Sequence, residues 1–245
     1  MGILAGGNIK TSLVFRAATA SRIMRGHISD RATDIVLYSY FRSSASWRVR
    51  IALALKDIKY EYKAVHLVKD GGEQNSEEYK KLNPMGFVPS LEIDGHVLTQ
   101  SLPILEYLEE KFPQPSLLPK DSIGKAQVRA LAEIVNSAIQ PLQNLNVLQK
   151  FGEGKEEWAR FFIERGLKGF EKMLEATAGT YCYGDQVTMA DLCLVPQIYN
   201  ANRFKVDMSQ FPIVNRVHDK LVQLPAFVAA DPSRQPDTPE DMRKN

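Results

Sequence analysis

Hydrophobic and polar positions change their period along this chain, and the changes mark out its elements. Ile35 to Tyr40 (IVLYSY) is a short apolar, β-rich run, followed by the polar FRSSAS and then by WRVRIALALK, whose helical composition ends before Asp57. Tyr60 to Val68 alternates with β-branched and aromatic residues, which predicts a second strand and so a βαβ unit with a parallel crossover. Glu73 to Leu82 predicts a short polar helix and Asn83 to Val88 a loop. Ser90 to Ile93 and His96 to Gln100 predict antiparallel strands joined at Asp94-Gly95, and Ser101 to Phe112 a helix. The order describes a mixed four-stranded sheet with helices on its faces, an α/β domain over residues 35–113.

Phe112 to Ser122 (FPQPSLLPKDS) carries three prolines and no period, so residues 114–122 read as a linker. Beyond it the apolar spacing is helical over Gly124–Lys150, Glu156–Thr177, Thr188–Phe204 and Phe211–Ala230, which predicts an all-α domain over 123–245. Phe161, Phe162, Phe170 and Met173 fall at core spacing. Thr188 and Asp191 form a capping box, stapled by Val187 and Leu192, with a structural rather than chemical role. The tail SRQPDTPEDMRKN is polar and is expected to be an extended or mobile end.

With 245 residues, 44% hydrophobic and 24% charged, the composition is that of an ordinary globular protein, which excludes collagenous and disordered readings. No stretch approaches the ~18 apolar residues of a membrane span. Cys182 and Cys193 alone cannot make a disulfide scaffold and read as reduced core residues. Without CxxC, and with four scattered histidines, a metal site is not expected. The formal net charge of +2 sits in residues 1–34, which hold five basic and two acidic side chains and leave 26 basic and 27 acidic residues for the body. A near-neutral body lacks the concentrated Lys and Arg of a nucleic-acid face. The leader reads as an extension of a cytoplasmic enzyme, with a mitochondrial presequence as the alternative.

Three junctions at one end of the predicted sheet could carry chemistry. Ser43, Ser44 and Ser46 lie where the first strand meets the first helix, so hydroxyls and free N–H groups gather at a helix N-terminus, an anion site. A hydroxyl there can stabilise a bound thiolate, while one serine as a simple N-cap is the competing reading. Val88-Pro89 precedes a strand. A cis bond there would turn the Val88 backbone toward an extended peptide, and a trans proline would merely start an edge strand. Gln100-Ser101 joins strand to helix, with Ser101 as expected N-cap beside N–H groups able to bind a carboxylate.

SSASWRVRIALALK, DGGEQNS, LNPMGFVPSLEIDG, TQSLPILEYLEEKFP, IQPLQNLNVL, YCYGDQVTMADLCLVPQIYNANRFKVD and RQPDTPE closely resemble the zeta-class glutathione transferases, the maleylacetoacetate isomerases, over about residues 35 to 240. The resemblance implies an α/β thioredoxin-like N-terminal domain plus an all-α C-terminal domain, the glutathione transferase fold, with glutathione as cofactor and a homodimeric assembly. It implies that Ser43 hydrogen-bonds the glutathione sulfur, supported by Ser44 and the backbone from Ala45 through Ser46 and Trp47 to Arg48. Gln74 would contact the glycyl end, Val88 with a cis Pro89 the cysteinyl backbone, and Gln100 and Ser101 the γ-glutamyl group. Gln140, Asn144, Leu145 and Asn146 would line the cleft, and Arg203 would meet the carboxylate of a small acidic electrophile. The implied reactions are cis–trans isomerisation of maleylacetoacetate, in phenylalanine and tyrosine catabolism, and glutathione transfer to α-halo acids. Ala45 stands where the family carries a cysteine in SSCS, and Asn146 where many members carry serine. The first change points against the isomerase step and leaves a catalytically weakened binding module as the alternative. Thiol–disulfide reductase chemistry needs a cysteine at the first helix, and none is there.

Overall fold

The computed structural model describes residues 35–244; the expected leader, 1–34, lies outside the described residues. β1 (Val36–Ser39) leads through a short loop to α1 (Ser44–Leu55) and β2 (Glu61–Ala64), which returns parallel to β1. β3 (Ser90–Ile93) and β4 (His96–Thr99) complete the sheet in antiparallel pairing, in the order β2-β1-β3-β4. The central strands bury Leu37, Leu91 and Ile93, while the edge strands β2 and β4 are largely exposed. α1 is enclosed by α3 (Ser101–Lys111) and by two helices of the second domain, α7 (Met189–Arg203) and α9 (Pro225–Ala230). It therefore lacks the apolar stripe of a surface helix, and even Arg48 and Arg50 are buried on it.

The second expected strand is shorter than its alternation suggested. After Ala64 the chain leaves the sheet and makes two 3₁₀ turns, Lys69–Gly71 and Glu73–Asn75. The polar helix begins only at α2 (Glu77–Leu82), where Ser76 accepts the Tyr79 N–H at 3.1 Å. The linker is pinned by one buried cation. Lys56 Nζ pairs with Glu109 at 2.9 Å and donates to the carbonyls of Phe112 (2.6 Å) and Pro115 (2.9 Å).

In the helical domain α4 (Ser122–Glu133) starts on an Asp121 cap and α6 (Lys155–Thr177) is the longest element. The continuous helix expected over 124–150 is broken. α4 runs into a π turn (Ile134–Ile139) and a 3₁₀ turn (Gln140–Gln143), because Pro141 has no N–H to continue the ladder; Asn144 then caps α5 (Leu145–Phe151). Gly166 on α6 lets this break pack closely, since a Cβ there would lie 2.2 Å from Ile139 Cγ1. The helix expected over 211–230 likewise divides, at Pro225, into α8 (Pro212–Leu221) and α9. Ile163, Leu167, Phe170 and Leu174 are the core face of α6, whereas Phe161, expected inside, is 60% exposed.

Cys182 and Cys193 are free and fully buried. The capping box is present, and its fully buried Asp191 accepts from Thr188 N (2.7 Å), Thr188 Oγ1 (2.9 Å) and Cys182 N (2.9 Å). The tail corrects its expectation most clearly. Gln235 and Thr238 are buried, Gln235 bonds the carbonyls of Ala229 and Asp231, and Asp237 receives hydrogen bonds from the first domain. The polar side chains there serve as anchors. Among the described residues no helix is long and apolar enough to cross a membrane.

Candidate active site

A cleft of about 410 Å³ opens where the β1–α1 loop, the loop before β3, the start of α3, the broken stretch 136–147 and the end of α7 converge. Its size suits a small molecule of peptide dimensions. Of the residues implicated from sequence, Ser43, Ser44, Ala45, Gln74, Val88, Pro89, Gln100, Ser101, Gln140, Asn144, Leu145, Asn146 and Arg203 all line it. Ser46, Trp47 and Arg48 do not, because α1 turns inward after its first residues: Ser46 is buried, and the Trp47 ring packs edge-on to Tyr199 at 5.8 Å between centroids.

Ser43 is the N-cap of α1. Its Oγ accepts the Ser46 N–H at 3.3 Å, so the capping reading and the anion reading coincide in one residue. A hydroxyl that accepts on one lone pair still has its proton to donate, and this one borders the cleft. The expected cap of α3 is displaced by one residue: Gln100, at φ 68°, is the N-cap, and Ser101 opens the helix. A non-glycine residue in that sparsely populated region is characteristic of ligand sites held by their surroundings. Ser101 Oγ accepts from Arg48 Nη1 at 3.0 Å. The same buried guanidinium donates to Asn136 Oδ1 (2.9 Å) and Gln140 Oε1 (2.5 Å), so one side chain braces both walls of the cleft. Burial pulls its pKa down.

The Val88-Pro89 bond is cis. Beside it, Gly86 (φ 62°) lets the chain pass the Gln74 carbonyl, which a Cβ would approach to 2.8 Å. Gln74 is buried and donates to the Leu67 carbonyl at 3.2 Å, while its Oε1 has no partner in the protein. A buried, unanswered acceptor on a cleft wall fits a ligand that brings an N–H, as a peptide does.

The charged residues of the lining are Arg42 and Arg203, with no carboxylate among them. Burial first, and then the charge of Arg42, lower the Arg203 pKa. Burial raises the Tyr40 hydroxyl, against the opposing pull of Arg42. Two guanidiniums facing one cavity favour an anionic occupant. Arg42, Asn136 and Asn200 were not singled out from sequence. Arg42 had a local signal, its place next to Ser43, whereas Asn136 and Asn200 had none, since asparagine inside a helical run reads as surface. No group of three or more His, Cys, Asp or Glu side chains suited to a metal ion occurs among the described residues.

Comparison with known proteins follows the same outline. The family described as Glutathione S-transferase, N-terminal domain matches residues 37–116, and its C-terminal domain counterpart matches 145–230. Maleylacetoacetate isomerase of Dictyostelium discoideum is 57% identical over 208 residues, covering 82% of this chain and 95% of that protein. A zeta-class glutathione S-transferase of Euphorbia esula is 50% identical over 209 residues, covering 82% and 92%. Among solved structures, maleylacetoacetate isomerase of Anaeromyxobacter dehalogenans, with bound GSH in its active site, superposes with a TM-score of 0.77 at 50% identity, covering 84% of this chain and 98% of that one.

Proposed function

The chain belongs to the zeta-class glutathione transferases, the family of the maleylacetoacetate isomerases, and from that premise we propose that it is a glutathione-dependent enzyme that isomerises maleylacetoacetate or a close analogue, in phenylalanine and tyrosine catabolism, and transfers glutathione to α-halo acids. The observation that carries this reading is the Ser43 hydroxyl, held by the Ser46 N–H at the N-terminus of α1, in a cleft whose charged lining is cationic.

Bound there, glutathione supplies a thiol nucleophile. Ser43 donates its O–H toward the sulfur and, with the positive end of α1, favours the thiolate. Gln74 offers its unanswered Oε1, the Val88 backbone pairs with the peptide, and Gln100 and Ser101 receive a carboxylate at the start of α3, which no side chain caps. Arg48 keeps Ser101 and Gln140 in register from behind the cleft wall. Arg203 and Arg42 hold the anionic end of the electrophile and offset negative charge that develops in the transition state. The methyl of Ala45 fills the place of the family thiol, so the isomerase step rests on the serine and the arginines. Family membership is also our ground for proposing a cytoplasmic homodimer.

The test is a side-by-side assay of the purified protein and glutathione with maleylacetone and with a chlorinated α-halo acid. Turnover of maleylacetone establishes the isomerase despite Ala45. Turnover of the halo acid alone reduces the function to transfer, and silence on both, with glutathione still bound, leaves a binding module.

A further inference from the structure

The loop that delivers Ser43 is not held by its own domain alone. Between β1 and α1 run Tyr40, Phe41 and Arg42, of which Tyr40 and Arg42 line the cleft. The carbonyls of Tyr40 and Phe41 are taken by one buried side chain: Arg50 Nη1 donates to that of Tyr40 at 3.3 Å and Nη2 to that of Phe41 at 2.9 Å, while Nε reaches the Ala230 carbonyl at 3.2 Å. The Phe41 amide points the other way, toward the far end of the chain. It donates to Asp237 Oδ2 at 2.9 Å, across 196 residues, and the second oxygen of that carboxylate accepts from Tyr62 Oη at 2.7 Å.

Asp237 is itself well supported. It sits in a turn closed by Thr238 N to the Gln235 carbonyl (3.1 Å) and Gln235 N to Thr238 Oγ1 (3.2 Å), and Arg243 donates to the Thr238 carbonyl (2.9 Å) and to the Pro236 carbonyl (3.1 Å). Five residues with no helix or strand of their own are thus assembled around a carboxylate whose two oxygens face the first domain. If the tail merely closed the surface, apolar contact would suffice; a charged acceptor shared between a loop amide and a phenol fixes a position.

We propose that Asp237 is a positioning residue of the active site: from the C-terminal tail its carboxylate holds the Phe41 amide, and through it sets the placement of Arg42 and Ser43. Arg50 fixes the carbonyl side of the loop and Asp237 the amide side, so neither alone determines where the loop stops. Peptide-anchoring residues Gln74, Val88, Gln100 and Ser101 come from other elements, so a slack loop affects the reaction more than glutathione binding. A misplacement near 1 Å costs up to about 100-fold in rate, and a loop loosened at one of two anchors about tenfold.

The inference rests on the Ser43 reading, and the experiment separates them. Asp237→Asn keeps the shape of the side chain but leaves one acceptor oxygen for two donors. In the full-length protein it is expected to lower kcat with maleylacetone about tenfold, change KM for glutathione less than threefold, and speed amide hydrogen exchange at residues 41–44 in the absence of glutathione. Tyr62→Phe, which keeps the Phe41 bond, is expected to show the same pattern at about threefold, and it decides the matter should Asp237→Asn fail to fold. A lowered Tm with kcat and loop exchange unchanged would mean a purely structural tail and overturns the proposal. A glutathione thiol that titrates at its free value on the parent enzyme refutes the role of Ser43, while exchange at 41–44 still judges Asp237.

Discussion

Replacing Ser43 by alanine and by glycine separates the two uses of one hydroxyl. Its Oγ accepts the Ser46 N–H at 3.3 Å, a long bond. Loss of a serine cap costs about 1 kcal/mol in alanine and only a few tenths in glycine, and the length here favours the lower end of that range. The proton side has a different magnitude. A hydroxyl donating to a charged acceptor contributes about 1.5–3 kcal/mol. At 1.36 kcal/mol per pKa unit, losing it raises the bound thiol by roughly 1 to 2 units and lowers kcat/KM at neutral pH by about 10- to 100-fold. Both variants are therefore expected to share one kinetic deficit while differing in stability by a few tenths up to about half a kcal/mol, with Ser43→Thr restoring activity. Thiolate absorbance of bound glutathione against pH, kcat/KM and a urea midpoint measure the three quantities. The reasoning fails if Ser43→Gly keeps parental activity, or if both variants leave the thiol titration unmoved.

Asp191→Ala removes the acceptor for Thr188 and for the Cys182 amide, all buried; a cap at about 1 kcal/mol plus two unanswered N–H groups at ~1–3 kcal/mol each predicts a loss of about 3–7 kcal/mol by urea unfolding, and a loss below about 1 kcal/mol would contradict it. His218 is held below its usual pKa by burial, which outweighs Asp219 at 3.5 Å. Its folded state favours the neutral ring, so its contribution is present above about pH 6.5 and is lost as pH falls; His218→Gln should flatten the decline in Tm between pH 7 and 5, and parallel curves would refute this. Cys182 and Cys193 are buried thiols with raised pKa values, so a thiol reagent should label neither in the folded protein and both once it is unfolded, and rapid labelling of the native state would count against the packing described.

What sequence could and could not reveal follows from where the determining forces lie. Strand runs, Asp-Gly turn and capping box are local, and each was legible because its signal sits within a few residues. The break after α4 was missed because apolar spacing through residues 124–150 stays helical while Pro141 acts on hydrogen bonds that spacing does not register. Phe161 shows the opposite error, an apolar residue on the outward face of α6. In the cleft, Ser43 and Ser101 announce themselves as polar groups at helix starts, but the Gln100 cap depends on a backbone torsion. Asp237 carries no local signal, since the Phe41 amide it holds lies 196 residues away, and the Arg50 bond to Ala230 spans 180 residues.

The two arginines enclosed on α1 have an evolutionary consequence. Arg48 donates to Asn136 and Gln140 as well as to Ser101, and Arg50 to the Ala230 carbonyl as well as to Ser39, Tyr40 and Phe41, so a helix of the thioredoxin-like half carries buried cations that share acceptors with the helical half. A chimera joining this first half to a helical half without Asn136, Gln140 and the Ala230 carbonyl in place would leave Arg48 with Ser101 alone and Arg50 one acceptor short, at about 1.5–3 kcal/mol for each hydrogen bond to a charged group that is lost. Exchange of whole halves therefore carries a cost in interior hydrogen bonds. Side chains such as Ala45 and Asn146, which line the cavity and make no such bond between the halves, can change without that cost.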